Sequence, residues 1–249
     1  MMLAFHALFC LVVVPLSDDA IQEMNSKSQR ERPTRRECVC MVHGLGRTSQ
    51  SMRWLGAQFE KQGYRVIHLS YRSTRQSISN SAEGLSAQLA RKLTGEEARV
   101  HFVTHSLGGI VVRALLQRHR PGNLGRVVML APPNQGSEIV DHLRRNPLYR
   151  LATGPAGQEL GTDARSTPNK LGSVDYEVGV IAGTRSVNPL FTSWIDGECD
   201  GKVSVKRACV GGMRDLFVLR SSHTFMMRNR EVAAQALYFI SHGKFSRSA

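Results

Sequence analysis

The sequence contains no run of about 18–20 consecutive apolar residues, the length that a membrane-spanning helix needs. Acidic residues are also few: 20 Asp and Glu stand against 33 Lys and Arg, a formal net charge of +13. Such a charge favours anionic partners such as phospholipid surfaces or nucleic acids. The basic residues are scattered, and no zinc finger, RNP motif or aromatic platform accompanies them. We therefore predict no specific nucleic-acid partner and only a weak association with anionic membrane surfaces.

Cysteine is scarce as well, and its five positions do not have the spacing of a metal site. Cys38 and Cys40 share one face of a predicted strand and are too close to pair with each other. Cys199 and Cys209 are placed to close a small loop if the chain is exported, although buried free thiols are the simpler interpretation. We predict neither a metal ion nor an organic cofactor.

The N-terminus carries a short apolar run, "LAFHALFCLVVV" (3–14), which resembles the core of a signal peptide. A positively charged start and an A-x-A cleavage site are both missing. Residues 1–16 are therefore interpreted as a signal peptide or a retained apolar anchor. The alternatives are a misplaced start codon or a terminal segment that packs on the domain. Residues 17–37 are polar and aperiodic and are interpreted as a charged linker. We expect an exported, periplasmic or membrane-associated bacterial protein rather than a cytoplasmic one.

Beyond the linker, apolar runs rich in Val and Ile alternate with segments of helical periodicity. Strands are predicted over 38–44 (ending in a glycine turn), 64–71, 99–104, 126–131, 176–183 and 216–220, and helices over 49–63, 80–93, 107–119, 137–145 and 230–243. This alternation predicts a three-layer α/β/α sandwich with a mostly parallel sheet of about six strands. Residues 38–243 form the predicted domain and residues 244–249 a short tail.

Reactive groups in such a sheet collect at the carboxyl ends of the strands. "VTHSLGG" (103–109) lies between a predicted strand and a predicted helix, the context of a sharp turn that presents a nucleophilic serine. That turn needs small residues two positions before and after the serine. Gly108 meets this requirement, whereas Thr104 does not. We interpret Ser106 as a nucleophile; the alternative is an ordinary serine that caps the helix.

A serine hydroxyl needs a base, and His223 lies in the loop directly after the last predicted strand. The other histidines are weaker candidates. His101 lies inside a strand, and the side chain of His105, next to the nucleophile, is expected to point elsewhere. His119 and His242 end helices, where a cation is favourable without any function.

The base in turn needs a carboxylate that orients its ring and stabilises the imidazolium. "CDGKVSV" (199–205) places Asp200 in an Asp-Gly turn after the strand 176–183. Asp196, in "WIDGECDG", is also followed by glycine and is the second candidate. Most Asp-Gly dipeptides form ordinary surface turns. The alternative interpretation of both Asp200 and Asp196 is therefore a surface turn without a catalytic role.

An oxyanion formed at the serine requires backbone N–H donors. Leu107, the first residue of the following helix, offers one such donor. Leu45 offers a second, because "HGLG" (43–46) follows the first strand and its glycines let a substrate approach the backbone. His43, Gly44 and Gly108 are expected to support this arrangement.

With these residues placed, residues 38 to 243 resemble the α/β-hydrolase superfamily, and within it the small bacterial lipases and esterases. The resemblance rests on "VHGLG", "THSLGG", "LAPPNQGSE", "DGKVSV" and "SHTFMMRN", in this order. It implies a serine hydrolase that cleaves lipid-like or short-chain carboxylic esters through an acyl-enzyme on Ser106, with His223 as base and Asp200 as acid. Thr104 and the absence of a leading hairpin depart from the family pattern.

The segment 137–175 is short and rich in glycine, so no large lid is expected over the site. An open acyl groove is predicted, lined by Leu148, Tyr149, Phe191, Trp194 and Phe225. Two other functions fit the same sequence. One is a thioesterase or acyltransferase that uses the same three residues, and the other is a non-catalytic protein that binds a membrane surface or a partner. The sequence leaves the natural substrate and the oligomeric state open.

Overall fold

The computed structural model describes residue 22 and residues 37–247 of the 249-residue chain. The predicted leader at 1–16 and most of the predicted linker at 17–37 therefore lie outside the described residues. No helix among the described residues is long and apolar enough to span a bilayer.

The described residues form one six-stranded sheet in which all neighbouring strands are parallel. Its strands are β1 (Cys38–Val42), β2 (Arg65–Leu69), β3 (Val100–His105), β4 (Leu124–Leu130), β5 (Val178–Gly183) and β6 (Asp215–Leu219), in the spatial order β2-β1-β3-β4-β5-β6. The predicted parallel sheet is confirmed, and each observed strand overlaps a predicted one.

The helices are α1 (Arg53–Lys61), α2 (Ile78–Lys92), α3 (Leu107–Arg118), α4 (Glu138–Leu143), α5 (Pro147–Gln158), α6 (Thr167–Lys170), α7 (Pro189–Thr192), α8 (Val205–Ala208) and α9 (Arg230–His242). Short 3₁₀ turns lie at Ser49–Met52 and Met226–Arg228. The amphipathic helices α1, α2, α3 and α9 match predicted ones, whereas α5, α6, α7 and α8 were not predicted.

The two faces of the sheet carry separate hydrophobic cores. Alternate residues of a strand point to opposite faces, and β1 shows this directly. Cys38 and Cys40 pack with α2 and α3, whereas Val39 and Met41 pack with α1 and α9. Burial on both faces explains why the strands are apolar throughout rather than alternating. The three-layer architecture is as predicted.

Helix α5 begins where the sequence suggested only a glycine-rich loop. The Asn146 side chain accepts hydrogen bonds from the backbone N–H groups of Leu148 and Tyr149, and Pro147 occupies the first turn. Both features favour helix starts. The helix is interrupted at Gly154, whose φ is 62°. The Asn146-Pro147 pair indicated where this helix begins. Its glycines interrupt the spacing of apolar residues, so the sequence showed no helical periodicity there.

Residues 244–247, predicted as part of a tail, lie against the domain. Phe245 is buried beside Phe217 and Phe239, and Arg247 forms an ion pair with Asp215. Within the described part of the chain, the cysteines at 38, 40, 199 and 209 are free thiols. The simpler interpretation of Cys199 and Cys209 therefore agrees with the structure.

Candidate active site

Ser106 lies on a sharp turn between β3 and α3. Its φ of 53° is a conformation that side chains other than glycine rarely adopt, and holding it costs on the order of 1–3 kcal/mol. The backbone N–H of Ser106 donates to the Leu130 carbonyl at 2.8 Å. The side chain makes no hydrogen bond that caps α3. The turn therefore projects the hydroxyl away from the helix that follows it.

Close backbone packing explains the glycine at position 108. A Cβ there would lie 2.5 Å from the carbonyl oxygen of His43 and 2.7 Å from that of Val42. Thr104, which departs from the family pattern, is fully buried and faces Gly109. A Cβ on Gly109 would lie 3.3 Å from Thr104 Oγ1. The larger residue fits beneath the turn because Gly109 leaves room for it.

The structure brings Ser106, His223 and Asp200 together in one hydrogen-bonded chain. Ser106 Oγ lies 3.0 Å from His223 Nε2, and His223 Nδ1 lies 2.7 Å from Asp200 Oδ2. The three residues follow β3, β6 and β5, so strand order places them at one edge of the sheet. Since a carboxylate only accepts, Nδ1 carries the proton and Nε2 is free to accept from the serine hydroxyl.

The Asp200 carboxylate is held in place by its own loop. Its Oδ1 accepts the backbone N–H groups of Lys202 and Val203, both at 2.9 Å, while the backbone N–H of His223 donates to the Asp200 carbonyl. Asp200 is 2 % exposed, whereas Asp196 is exposed to solvent. The structure therefore places Asp200, and not Asp196, against His223.

His105 contacts the His223 loop, a link that the sequence analysis missed. The sequence analysis predicted that the His105 side chain points away from the nucleophile, but it did not predict what that side chain contacts. Its Nε2 donates to the His223 carbonyl at 3.0 Å, and the two ring centroids are 4.9 Å apart. Burial, and then the charge of His223, hold the pKa of His105 well below its usual value. His105, which directly precedes the nucleophile, is thus a neutral ring that binds the backbone of His223.

The loop after β1 is anchored by His43 and Tyr71. The rings stack with centroids 4.5 Å apart, and the Tyr71 hydroxyl donates to the His43 carbonyl at 2.8 Å. His43 Nδ1 donates to the Gly44 carbonyl at 3.0 Å and Nε2 accepts the Tyr71 N–H at 3.3 Å. Burial lowers the pKa of His43. This network holds Leu45 beside the serine.

The two predicted oxyanion donors lie in the segments on either side of Ser106: one lines its cavity and the other follows it in the chain. Leu45 lines the same cavity as Ser106. Leu107 opens α3, so its N–H is among the helix N-terminal donors that have no acceptor within the helix. Gly44 has no room for a side chain, because a Cβ would lie 2.9 Å from His105 Nδ1 and 3.0 Å from Ser106 Cβ.

Ser106 opens into a cavity of ≈ 200 Å³. The "polar end" of this cavity consists of Leu45, Arg47, His105, Ser106, Lys202 and His223. The "apolar wall" consists of Ile139, Val140, Leu143, Tyr149, Leu160 and Phe191. Pro133, Ser137, Thr153 and Val203 complete the lining.

The predicted acyl groove is only partly correct. Tyr149 and Phe191 line the cavity, but Leu148, Trp194 and Phe225 do not. Leu148 is 77 % and Phe225 63 % exposed, because each lies on the outer side of its segment. Trp194 packs against Phe191 and the His142 ring instead. Half of the wall, Ile139, Val140 and Leu143, comes from α4, which the groove prediction had not used.

Within residues 37–247, no group of three His, Cys, Asp or Glu side chains is arranged to hold a metal ion.

Comparison with known proteins assigns the chain to a family. A model of a domain of unknown function, DUF7379, matches residues 15–179. The chain therefore belongs to this family. Lysosomal thioesterase PPT2 of Bos taurus is 28% identical over 139 residues, which are 49% of this chain and 44% of that protein. The match thus spans less than half of the thioesterase's length.

Solved structures define the fold class. The mature lipase BlEst2 of Bacillus licheniformis superposes with a TM-score of 0.66 at 19% identity, covering 79% of this chain and 89% of that one. Phospholipase PlaB of Legionella pneumophila gives a TM-score of 0.63 at 17% identity, covering 81% and 58%. At such low identity these matches show the fold alone, and that fold is the α/β-hydrolase fold.

Proposed function

We propose that the protein is a serine hydrolase that cleaves carboxylic esters. The observation that carries the proposal is the chain of hydrogen bonds from Ser106 through His223 to Asp200 at the mouth of a largely apolar cavity. A serine on a strained turn, a base and a buried carboxylate are the three groups that nucleophilic acyl transfer requires.

The geometry supports a two-step reaction. Ser106 Oγ attacks the ester carbonyl as its proton passes to His223 Nε2, and Asp200 stabilises the imidazolium. The backbone N–H groups of Leu45 and Leu107 then stabilise the oxyanion in this proposal. His223 then protonates the leaving alcohol, which leaves an acyl-enzyme. Water, deprotonated by His223, attacks the acyl carbon, and Ser106 regains its proton as the acid departs.

The apolar wall favours an acyl chain rather than a polar acid. Six hydrophobic side chains face a cavity whose other end carries the nucleophile, so a hydrocarbon tail gains free energy by leaving water there. The names of the structural neighbours, a lipase and a phospholipase, agree with a lipid-like substrate.

A thioesterase is the second candidate, and the similarity to PPT2 favours it. The same three residues perform both reactions, since only the leaving atom differs. A thiolate leaves with less need of a proton than an alkoxide. Comparison of an ester with the thioester of the same acyl chain therefore separates the two functions.

The test is labelling with a fluorophosphonate probe, together with hydrolysis of p-nitrophenyl esters and matched thioesters. We expect the wild-type protein to be labelled and to hydrolyse at least one of these substrates. Ser106→Ala should not be labelled, and its kcat should fall by at least about 10⁴-fold. Ser193→Ala, at an exposed serine outside the cavity, is the control and should behave as wild type. An unlabelled wild type that hydrolyses no ester or thioester would refute the proposal.

A further inference from the structure

Two cationic side chains lie at the polar end of the cavity. Arg47 follows the loop that carries Leu45, and Lys202 lies two residues after Asp200. Both line the cavity together with Ser106 and His223. Their charges also act on His105, whose pKa they help to lower after burial and His223. Both cations are therefore close to the reacting end of the cavity.

Neither cation forms an ion pair with an acidic side chain of the described residues. Asp200 is near Lys202, but its carboxylate is already bonded to His223 and to two backbone N–H groups. Two unneutralised positive charges beside a cavity create a positive potential that attracts an anion.

Lys202 lines the cavity and is exposed to solvent. Loss of hydration and then the charge of Arg47 lower its pKa. The repulsion that Arg47 exerts on Lys202 is relieved when an anion binds close to both side chains. Phosphate is well suited to this position, because Arg binds its oxygens through a planar fork and Lys as a point charge.

The two ends of the cavity thus fit different parts of one substrate. An acyl chain against the apolar wall, with its carbonyl at Ser106, leaves the alcohol or thiol part at the polar end. We propose that this part carries a phosphate close to the acyl linkage and that Arg47 and Lys202 bind it. The proposal rests on the hydrolase function and narrows its substrate to phosphorylated acyl esters or thioesters. Hydrolysis would release the fatty acid and the phosphorylated alcohol or thiol.

Paired substrates of one chain length test the proposal. Monoacylglycerol and its glycerol-phosphate counterpart differ in the phosphate, and so represent a lipid headgroup. The acyl thioesters of 2-mercaptoethanol and of its phosphate ester differ in the same group, and so represent a phosphorylated thiol. We expect kcat/KM to be at least about tenfold higher for the phosphorylated member of one pair, a difference of about 1.4 kcal/mol. The pair that shows the preference identifies the source of the phosphate.

Variants then assign the preference to the two cations. Arg47→Gln and Lys202→Gln should each reduce the phosphorylated-to-neutral ratio of kcat/KM by about tenfold, the size of one charge-assisted contact. Lys206→Gln, at an exposed lysine on α8 outside the cavity, is the matched control and should keep the wild-type ratio. Titration of Ser106→Ala with the intact phosphorylated lipid gives a second readout by calorimetry, with tighter binding than for the neutral partner.

Three outcomes overturn the inference. One is a wild type without preference in either pair; another is a ratio that neither substitution changes. In these two cases the fluorophosphonate label on Ser106 still supports the hydrolase function, so only the narrower proposal fails. The third is the absence of both labelling and turnover, which refutes the hydrolase function and this inference together.

Discussion

The polar end and the apolar wall of the cavity are built in different ways. The polar end is carried by segments at the ends of β1, β3, β5 and β6, and hydrogen bonds link the last three of these segments to one another. The apolar wall comes from α4 and α5 after β4, from Leu160 in the turn beyond α5, and from α7 after β5. In the proposed hydrolase, the loops at the sheet edge would therefore carry the reacting groups, while the helices of the apolar wall would contact the acyl chain.

Among substitutions that leave the nucleophile intact, the largest expected effect is at the carboxylate of the polar end. Asp200→Asn removes the negative charge that orients His223 and stabilises its protonated form, so kcat should fall by about 10³–10⁴ while the fold is retained. Asp196→Asn is the matched control, because Asp196 is exposed. Steady-state kinetics on one ester checks both variants. A greater loss at position 196 would contradict the placement of Asp200.

The turn at the polar end should tolerate no added carbon. Gly108→Ala forces a methyl group against the carbonyl oxygens of Val42 and His43, so we expect a loss of about 2–4 kcal/mol in the free energy of unfolding. Gly84→Ala is the control: Gly84 is exposed within α2 and nothing lies near its added Cβ. It should stabilise the protein by about 0.5–1 kcal/mol. Denaturant unfolding measures both, and equal stability of the two variants would refute the close packing.

The polar end was predictable from sequence because its residues follow local patterns. Ser106 and His223 each come directly after an apolar strand, and parallel strands bring their carboxyl ends to one edge. Asp200 was distinguished from Asp196 by its place in the loop. The link from His105 to His223 was not predictable, since it joins loops 118 residues apart through a backbone carbonyl.

The apolar wall was predicted poorly for a physical reason. Hydrophobic side chains in a glycine-rich segment give no period that tells which side faces inward. Leu148 and Tyr149 are neighbours in the sequence, yet only Tyr149 faces the cavity. Which residue turns inward depends on the start of α5 at Asn146 and on its packing, information that spacing along the chain does not contain.

Substitutions in the apolar wall should alter chain-length preference rather than the reaction. Phe191→Ala removes a cavity-lining ring, so kcat/KM for a long-chain ester should fall about tenfold or more, with a smaller change for an acetyl ester. Leu148→Ala is the control, since Leu148 is exposed and does not line the cavity. A chain-length series of p-nitrophenyl esters measures both variants. Equal losses for short and long chains would show that Phe191 does not form part of the acyl site.

The smallest effect concerns the histidines that hold the polar end together. Because the pKa values of His43 and His105 are lowered in the folded state, the unfolded chain binds more protons once the pH drops below about 6.5. Stability should therefore be unaffected by these groups above that pH and decline on acidification, by at most about 1.4 kcal/mol per pH unit for each histidine.

His105→Gln tests this directly, because the amide keeps a donor for the His223 carbonyl but does not titrate. Urea unfolding between pH 7 and pH 5 should show a shallower decline in this variant than in wild type. Gly84→Ala, which changes no titrating group, should keep the wild-type slope. An unchanged slope in His105→Gln would mean that His105 is as easily protonated in the folded protein as in the unfolded chain. The polar end would then be more hydrated than its buried rings indicate, and less distinct from the solvent-facing surface around it.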